Sequence, residues 1–396
     1  MKKLLTSAAV CGLVFAAAPA HADIDLELGG YFKGYGAFVD QDDNADTNGA
    51  LAGNQGAGEA SDFDFIRDTE IHATGETTLD NGLVVGAHFE FSVDGGDAAA
   101  VDESYAYFSG SWGRVNFGDE DGAGYLLQVA APSADSNIDG IRQYVQPVNY
   151  LAAIGDSNAS GAVADELLLV AGLGAAGGNS IDYDMDQSGK DTKLTYLSPI
   201  MNGFQAGVSY TPDTGPADDL EGVGFKDVED TLEDTYEAAI RYEGMFNNVG
   251  VILGAGYAHT NQEETTVPAV NDDRQAWNVG ADFDIGPFGV GVIYREDNGG
   301  FEGSAARDDE ETLVIGVDYT TGPFKLGASY YDQENTFAIN GLDTQRYSGG
   351  VTYTYGPGMT FRGSVGYVEH EATGVGGPGN NDIDATYVTL GTQINF

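Results

Sequence analysis

The closing stretch ATYVTLGTQINF, residues 385–396, sets Thr386, Val388, Leu390, Thr392, Ile394 and the final Phe396 on one alternate set and Tyr387, Thr389, Gly391, Gln393 and Asn395 on the other. A period of two is that of a β-strand with one face against an apolar phase. The same rhythm recurs upstream. WNVGADFDI puts Trp277, Val279, Ala281, Phe283 and Ile285 opposite Asn278, Gly280, Asp282 and Asp284. FGVGVIYR, TLVIGVDYT and FKLGASYY repeat it with Tyr294, Tyr319 and Tyr330 at their ends. Alternation alone fits a soluble β-sandwich as well as a barrel in a bilayer.

The other end of the chain narrows the compartment. MKKLLTSAAVCGLVFAAAPAHA, residues 1–22, has two lysines, an apolar run and Ala20-His21-Ala22, the three parts of a secretory signal peptide. The mature chain is expected to begin at Asp23. The single cysteine, Cys11, leaves with the signal, so the mature protein is expected to have no disulfide and no cysteine nucleophile. Fifty-eight glycines, 22 tyrosines and 19 phenylalanines in 396 residues do not describe a disordered chain. The net charge of −47, or −49 without Lys2 and Lys3, excludes nucleic acid as a partner by repulsion. An acidic secreted enzyme, a cation-binding surface β-protein and a membrane barrel remain.

The connections separate these classes. Tight turns at Asp80-Asn81-Gly82, Gly110-Ser111-Trp112-Gly113, Asn247-Asn248, Gly286-Pro287, Gly322-Pro323 and Gly356-Pro357-Gly358 alternate with long acidic stretches such as 40–62, 212–233, 297–310 and 371–381. In an up-and-down barrel every second connection lies on the same rim, which gives one smooth rim and one rim of loops. Sixteen strands can be counted, near 26–39, 64–79, 82–93, 102–109, 112–118, 190–198, 202–211, 234–243, 249–260, 275–285, 287–296, 311–320, 323–332, 344–355, 359–370 and 382–396, with SIDYDM at 180–185 a further candidate that would spoil the parity. The fold expected is therefore all-β, a transmembrane antiparallel up-and-down β-barrel. Tyr31, Tyr35, Tyr105, Tyr242, Tyr294, Tyr319, Tyr330 and Tyr367 are expected in two interfacial girdles. The last strand must pair with the first to abolish the free edges.

The signal followed by LELGGYFKGYGAF, then GETTLDNGLVVGAHFEF, GSWGRVNFGDEDGA and the closing strand ending at Phe396, resembles the general-diffusion porins of Gram-negative outer membranes along essentially the whole mature chain, 23–396. The resemblance implies a 16-stranded homotrimer in the outer membrane, in contact with its lipid and lipopolysaccharide. It also implies insertion by the barrel-assembly machinery, which reads the last strand with Phe396 as signal, and passage of small hydrophilic solutes. A third long loop would fold into the lumen as a constriction.

Residues 119–189 are the candidate for that loop, since a structureless segment of such length fits a compact domain only if it is functional. Its Asp119, Glu120, Asp121, Asp135 and Asp139 are candidates for the acidic side of a pore eyelet, or belong to a solvated loop. The basic side is expected on the wall, because a charge facing lipid costs several kcal/mol at mid-membrane. Alternation turns Arg114, Arg241, Arg295, Lys325, Arg346 and Arg362 inward, and Lys33 with them; Lys33, Arg114, Lys325, Arg346 and Arg362 are the candidates for the constriction. Facing charges would set a transverse field, and ion-pair scaffolding is the alternative. Arg67 falls on the outward register and is expected above the membrane.

Fourteen basic residues against 63 acidic ones in the mature chain predict a cation-preferring lumen. Clustered carboxylates on the loops offer the oxygen ligands calcium takes. DQDDNADTNG lacks the glycine and glutamate of an EF-hand, and a plain acidic surface is the simpler reading; no other cofactor is expected. ELLLVAGLGAAGG, 166–178, matches G-x-G-x-x-G at Gly172, Gly174 and Gly177 but is followed by a polar, turn-rich stretch, so a loop insert is preferred over a nucleotide site. His72, His88, His259 and His370 lack metal-ligand spacing, and His72 and His88 with Glu70, Glu76 and Glu90 read as lumen lining. No serine sits in a nucleophile elbow, so no enzyme is expected. A substrate-specific porin is the nearest rival to a general one.

Overall fold

In the computed structural model, which describes residues 24–41, 62–93, 100–148, 181–212, 232–262, 273–300, 309–335, 342–372 and 383–396, sixteen antiparallel strands close on themselves. The signal peptide, most of the acidic stretches 40–62, 212–233, 297–310 and 371–381 with their candidate calcium ligands, the glycines at 172, 174 and 177, and the side chain at 370 lie outside the described residues. In chain order the strands are β1 (Asp25–Gln41), β2 (Phe63–Thr78), β3 (Val84–Ser92), β4 (Ala100–Gly110), β5 (Gly113–Asp119), β6 (Thr192–Leu197), β7 (Phe204–Thr211) and β8 (Leu232–Phe246). They continue with β9 (Val249–Gln262), β10 (Arg274–Ile285), β11 (Phe288–Asp297), β12 (Glu310–Thr321), β13 (Phe324–Asn335), β14 (Leu342–Gly356), β15 (Met359–Ala372) and β16 (Ile383–Asn395). Residues 181–186 form no strand, so the parity of the count holds.

Closure is made by the C-terminal stretch 385–396. β16 pairs with β1 from Tyr31↔Asn395 to Gln41↔Ala385. The ladder ends on Phe396, whose N–H donates to the Gly30 carbonyl at 3.1 Å and whose carbonyl accepts from the Gly30 N–H at 3.0 Å. Thr386, Val388, Leu390 and Phe396 point outward and Tyr387 and Thr389 are buried inside, as the alternation required. The tight turns use the expected chemistry. Asn247 and Asn248 both have positive φ, 47° and 72°, the backbone of a two-residue hairpin whose twist matches its strands.

Five of the expected aromatic positions, Tyr242, Tyr294, Tyr319, Tyr330 and Tyr367, stand in outward aromatic rows, joined by others. Phe204 and Tyr210, Tyr236 and Tyr242, Phe288 and Tyr294, Phe324 and Tyr330, Tyr347 and Tyr353, and Phe361 and Tyr367 each stand six residues apart on one outward face. Six residues span about 20 Å along a strand, or roughly 15 Å of height at the tilt of such barrels. Cross-strand contacts tie the rows together: Phe204–Tyr242 at 4.7 Å, Phe288–Tyr319 at 4.9 Å, Phe324–Tyr353 at 4.9 Å, Tyr210–Tyr236 at 5.1 Å and Tyr330–Tyr347 at 4.9 Å between ring centroids. Tyr31, Tyr35 and Tyr105 do not join them. They share the inward register of Lys33 and His88, and the period of two that turns Lys33 into the lumen turns Tyr31 and Tyr35 with it. Arg67 is outward, as the register required, five residues into β2 from its long-loop end, where it pairs with Gly34.

Candidate functional site

Segments 120–148 and 181–191 pack against the inner wall of the barrel, carrying two short helices, α1 (Ala123–Leu127) and α2 (Ser136–Asp139). α1 lies on β7, β8 and β9. Its first amides are held by wall side chains: Ala123 N–H donates to Ser209 Oγ at 2.7 Å and Gly124 N–H to Glu237 Oε2 at 2.8 Å. The chain then crosses a track of inward glycines, one on each of five successive strands: Gly254, Gly280, Gly291, Gly316 and Gly327. Gly254 pairs with Gly280 and Gly291 with Gly316, so the track is continuous across the ladder. A Cβ would meet Val129 at Gly254 and Gly280, Pro132 at Gly291 and Gly316, and the Ser133–Ala134 backbone at Gly327, each inside normal contact distance. A track of inward glycines was readable in the alternation, but only the chain that covers it gives it meaning.

Beyond the track, α2 docks on β1 and β14–β16. Asp135 accepts from Tyr35 Oη at 2.8 Å and Arg362 Nη1 at 2.6 Å, and caps α2 by accepting from the Asn137 N–H at 3.1 Å. Asn137 Nδ2 donates to Tyr35 Oη at 2.8 Å and Gln393 Oε1 at 3.2 Å. Asp139 faces Arg346 Nε at 3.3 Å, with side chains 1% and 0% exposed, and Arg346 Nη1 donates to the Ile138 carbonyl at 2.9 Å. Burial pushes the Asp139 carboxyl above the usual carboxylate range, although Arg346 pulls it back. Two of the predicted acidic residues and two of the predicted basic ones are thus in direct contact, as an anchor of the segment to the wall. Lys33 stays nearby: Nζ donates to Asp68 at 2.7 Å and lies 3.1 Å from the Tyr144 ring centroid.

The segment's opposite side is a second charged knot. Arg142 holds Asp121 at 2.8 Å, Asp184 at 2.9 Å and Asp186 at 2.5 Å, and its guanidinium stacks 4.2 Å over Tyr125. Burial works against the Arg142 charge, but Asp186 and Asp121 outweigh it and hold the guanidinium protonated; burial also raises Asp121 and Asp186. Lys190 pairs with Asp102 and stands 3.7 Å from Glu103. Glu120 accepts from Asn116 Nδ2 at 2.7 Å, and its carbonyl accepts from Lys193. Burial pushes the Glu120 carboxyl up to about 7, against the pull of Asn116 and Thr195. A raised carboxyl favours the protonated fold, so its contribution is fully present below about 4.5 and is lost as pH rises through about 7; at about 1.4 kcal/mol per unit this is of order 3–4 kcal/mol. Glu120→Gln is expected to flatten that part of the unfolding free-energy profile between pH 4.5 and 8, and an unchanged slope would refute the assignment.

The remaining predicted residues stand apart. Asp119 shares the outward register of Phe117 and accepts from the Thr192 hydroxyl, so it does not face the other four acids. Arg114 is inward, donates to Asn116 Oδ1 at 2.6 Å and lies 3.9 Å over the Tyr107 ring. Lys325 pairs with Asp318 at 3.1 Å near the short-turn rim. Wall residues under the segment, among them Thr312, Val314, Tyr331 and Arg346, are buried. On β2 and β3 the inward Asp68, Glu70, His72, Glu76, His88 and Glu90 stay partly exposed, so among the described residues segments 120–148 and 181–191 leave the space between that wall and Tyr144 uncovered.

A family model described as Gram-negative porin matches residues 6–374. An uncharacterized protein of Rickettsia conorii is 22% identical over 352 residues, covering 74% of this chain and 76% of that one. Among solved structures, an anion-selective porin from Comamonas acidovorans aligns with a TM-score of 0.60 at 15% identity, over 94% of this chain and 100% of that one. The outer-membrane protein OmpT of Vibrio cholerae, in its trimer form, aligns at 0.58 and 14%, over 94% and 99%.

Proposed function

We propose that this chain, which belongs to the Gram-negative porin family and is a multi-pass β-barrel of the outer membrane, passes small hydrophilic solutes by passive diffusion and prefers cations. The observation that carries the reading is the partly exposed inner wall of β2 and β3, where Asp68, Glu70, Glu76 and Glu90 line a side of the lumen that the described parts of the inserted segment do not cover. Segment 120–148 acts as the constriction. The surplus of carboxylates supports cation preference: the Comamonas relative is described as anion-selective, whereas this chain carries a net −47.

A homotrimer fits the outer surface. The outward face of β16 and β1–β5 carries Phe38, Phe65, Phe89 and Phe117 beside glycines at 34, 36 and 75, an apolar arc with small residues that a second copy could approach closely. Covering by a second copy removes that apolar arc from lipid.

The test is the zero-current potential of the folded mature protein in a planar bilayer under a salt gradient. Cations are expected to carry most of the current at 0.1 M salt, and selectivity should fall toward 1 M, as the screening length drops from about 10 to about 3 Å. Glu70→Gln with Glu76→Gln and Glu90→Gln should lower the cation-to-anion ratio without abolishing openings. Anion preference, or selectivity indifferent to both salt and these substitutions, would overturn the reading.

A further inference from the structure

His72 on β2 and His88 on β3 face the lumen side by side, with ring centroids 5.8 Å apart at 78°. Glu90 lies against both: its Oε1 is 2.9 Å from His88 Nε2 and 3.5 Å from His72 Nδ1. One donor atom from each of the three residues lies within 4.8 Å of the other two. Metal bonds of about 2.0–2.2 Å in a tetrahedral site put donor atoms roughly 3.3–3.5 Å apart, so the cluster needs only side-chain adjustments of a few tenths of an ångström to about an ångström.

The second nitrogen of each ring sets the chemistry. His72 Nε2 faces Glu70 Oε2 at 3.1 Å, and His88 Nδ1 faces Thr74 Oγ1 at 2.7 Å. A proton on His72 Nε2 donated to Glu70, and one on His88 Nδ1 donated to Thr74, leave His72 Nδ1 and His88 Nε2 as lone pairs aimed at a carboxylate oxygen. In those tautomers three acceptors converge on one point, a repulsion that a cation between them relieves. An outer carboxylate or hydroxyl on the far nitrogen is also the arrangement that orients ligating histidines and raises their basicity. The spacing was invisible along the chain because it runs across a ladder: the turn after β2 pairs His72 with Glu90 and Thr74 with His88.

We propose that His72, His88 and Glu90 bind a divalent transition-metal ion of the zinc type on the lumen wall, with Glu70 and Thr74 as orienting partners and a further position open to water. Two imidazoles and one carboxylate suit zinc, nickel or copper, and do not suit calcium or magnesium, which take oxygen ligands. Tyr31, 5.9 Å from His72, and Tyr105, 5.3 Å from His88, flank the rings, and Asp102 adds negative charge that Lys190 partly offsets.

The probe is Co²⁺, added to the folded mature protein in detergent with excess Ca²⁺ present to fill all-oxygen sites on the loops. One equivalent per chain is expected to produce a visible ligand-field band, and Zn²⁺ should displace it. His72→Gln and His88→Gln, each checked for intact β-sheet by circular dichroism, should weaken binding about tenfold or more, while His259→Gln should leave it unchanged. No band with the folded wild type, or equal bands in wild type and both variants, overturns the site. The readout is absorption, so it stands whether or not the barrel conducts.

Discussion

Asp135→Ala is expected to destabilise the folded protein by about 3–5 kcal/mol and to make its channel current noisy, with closures at lower voltage. The carboxylate is fully buried and serves three donors at once, the Tyr35 hydroxyl, the Arg362 guanidinium and the Asn137 N–H. Alanine removes the acceptor and leaves the Arg362 charge, 11% exposed, without its nearest counter-ion. Losing one member of a buried pair costs far more than the pair contributes, because the survivor is desolvated without compensation. The function follows from position, since Asp135 is the point at which the inserted segment is tied to β1 and β15. Arg362→Met in the Asp135→Ala background should recover part of the stability, since no orphaned charge then remains. Lys325→Ala, which removes a 39% exposed partner of Asp318, should cost no more than about 1 kcal/mol. Guanidinium unfolding midpoints in detergent and single-channel recordings would measure both effects. An Asp135→Ala protein as stable as wild type, with quiet openings, would show that the anchor is dispensable.

That anchor marks the boundary of what the sequence discloses. Period-two alternation tells which side chains share a face, and tight-turn chemistry tells where the chain reverses, so sixteen strands, the closing pair and the inward arginines could be read directly. Neither signal carries height or cover. Asp135 meets Arg362 across 227 positions, and nothing local in either strand or loop distinguishes two charges that will touch from two that will face each other across water. The tyrosines failed for a related reason. Tyr31 and Tyr35 were placed by their nearness to a strand end, although their register with Lys33 already turned them inward. Spacing along the chain does not join His72 and His88, because in a ladder the partner of residue 72 is residue 90.

Gly316→Val should be the second large effect, and its direction opposes local propensity. Valine is among the best strand formers, and Gly316 lies mid-strand in β12, so an uncovered wall would gain stability from it. Here the new Cβ would fall onto the Pro132 carbonyl, a backbone atom that cannot rotate away. The segment is pinned on either side of that point. Val129 packs against Gly254 and Gly280, and the Thr352 hydroxyl donates to the Ala134 carbonyl at 2.7 Å. Relief must come from bowing residues 130–133 away from the wall. Overpacking of this kind costs about 1–3 kcal/mol, and the bow points into the lumen, so conductance should fall together with stability. Gly349→Ala on β14 is the matched control. Its Cβ would meet only ordinary contacts at 3.5 and 3.9 Å, so reduced freedom of the unfolded chain should leave stability equal or up to about 1 kcal/mol higher, with conductance unchanged. If the two substitutions behaved alike in thermal unfolding and in single-channel current, the glycine track would be a product of strand composition rather than the bed on which the constriction rests.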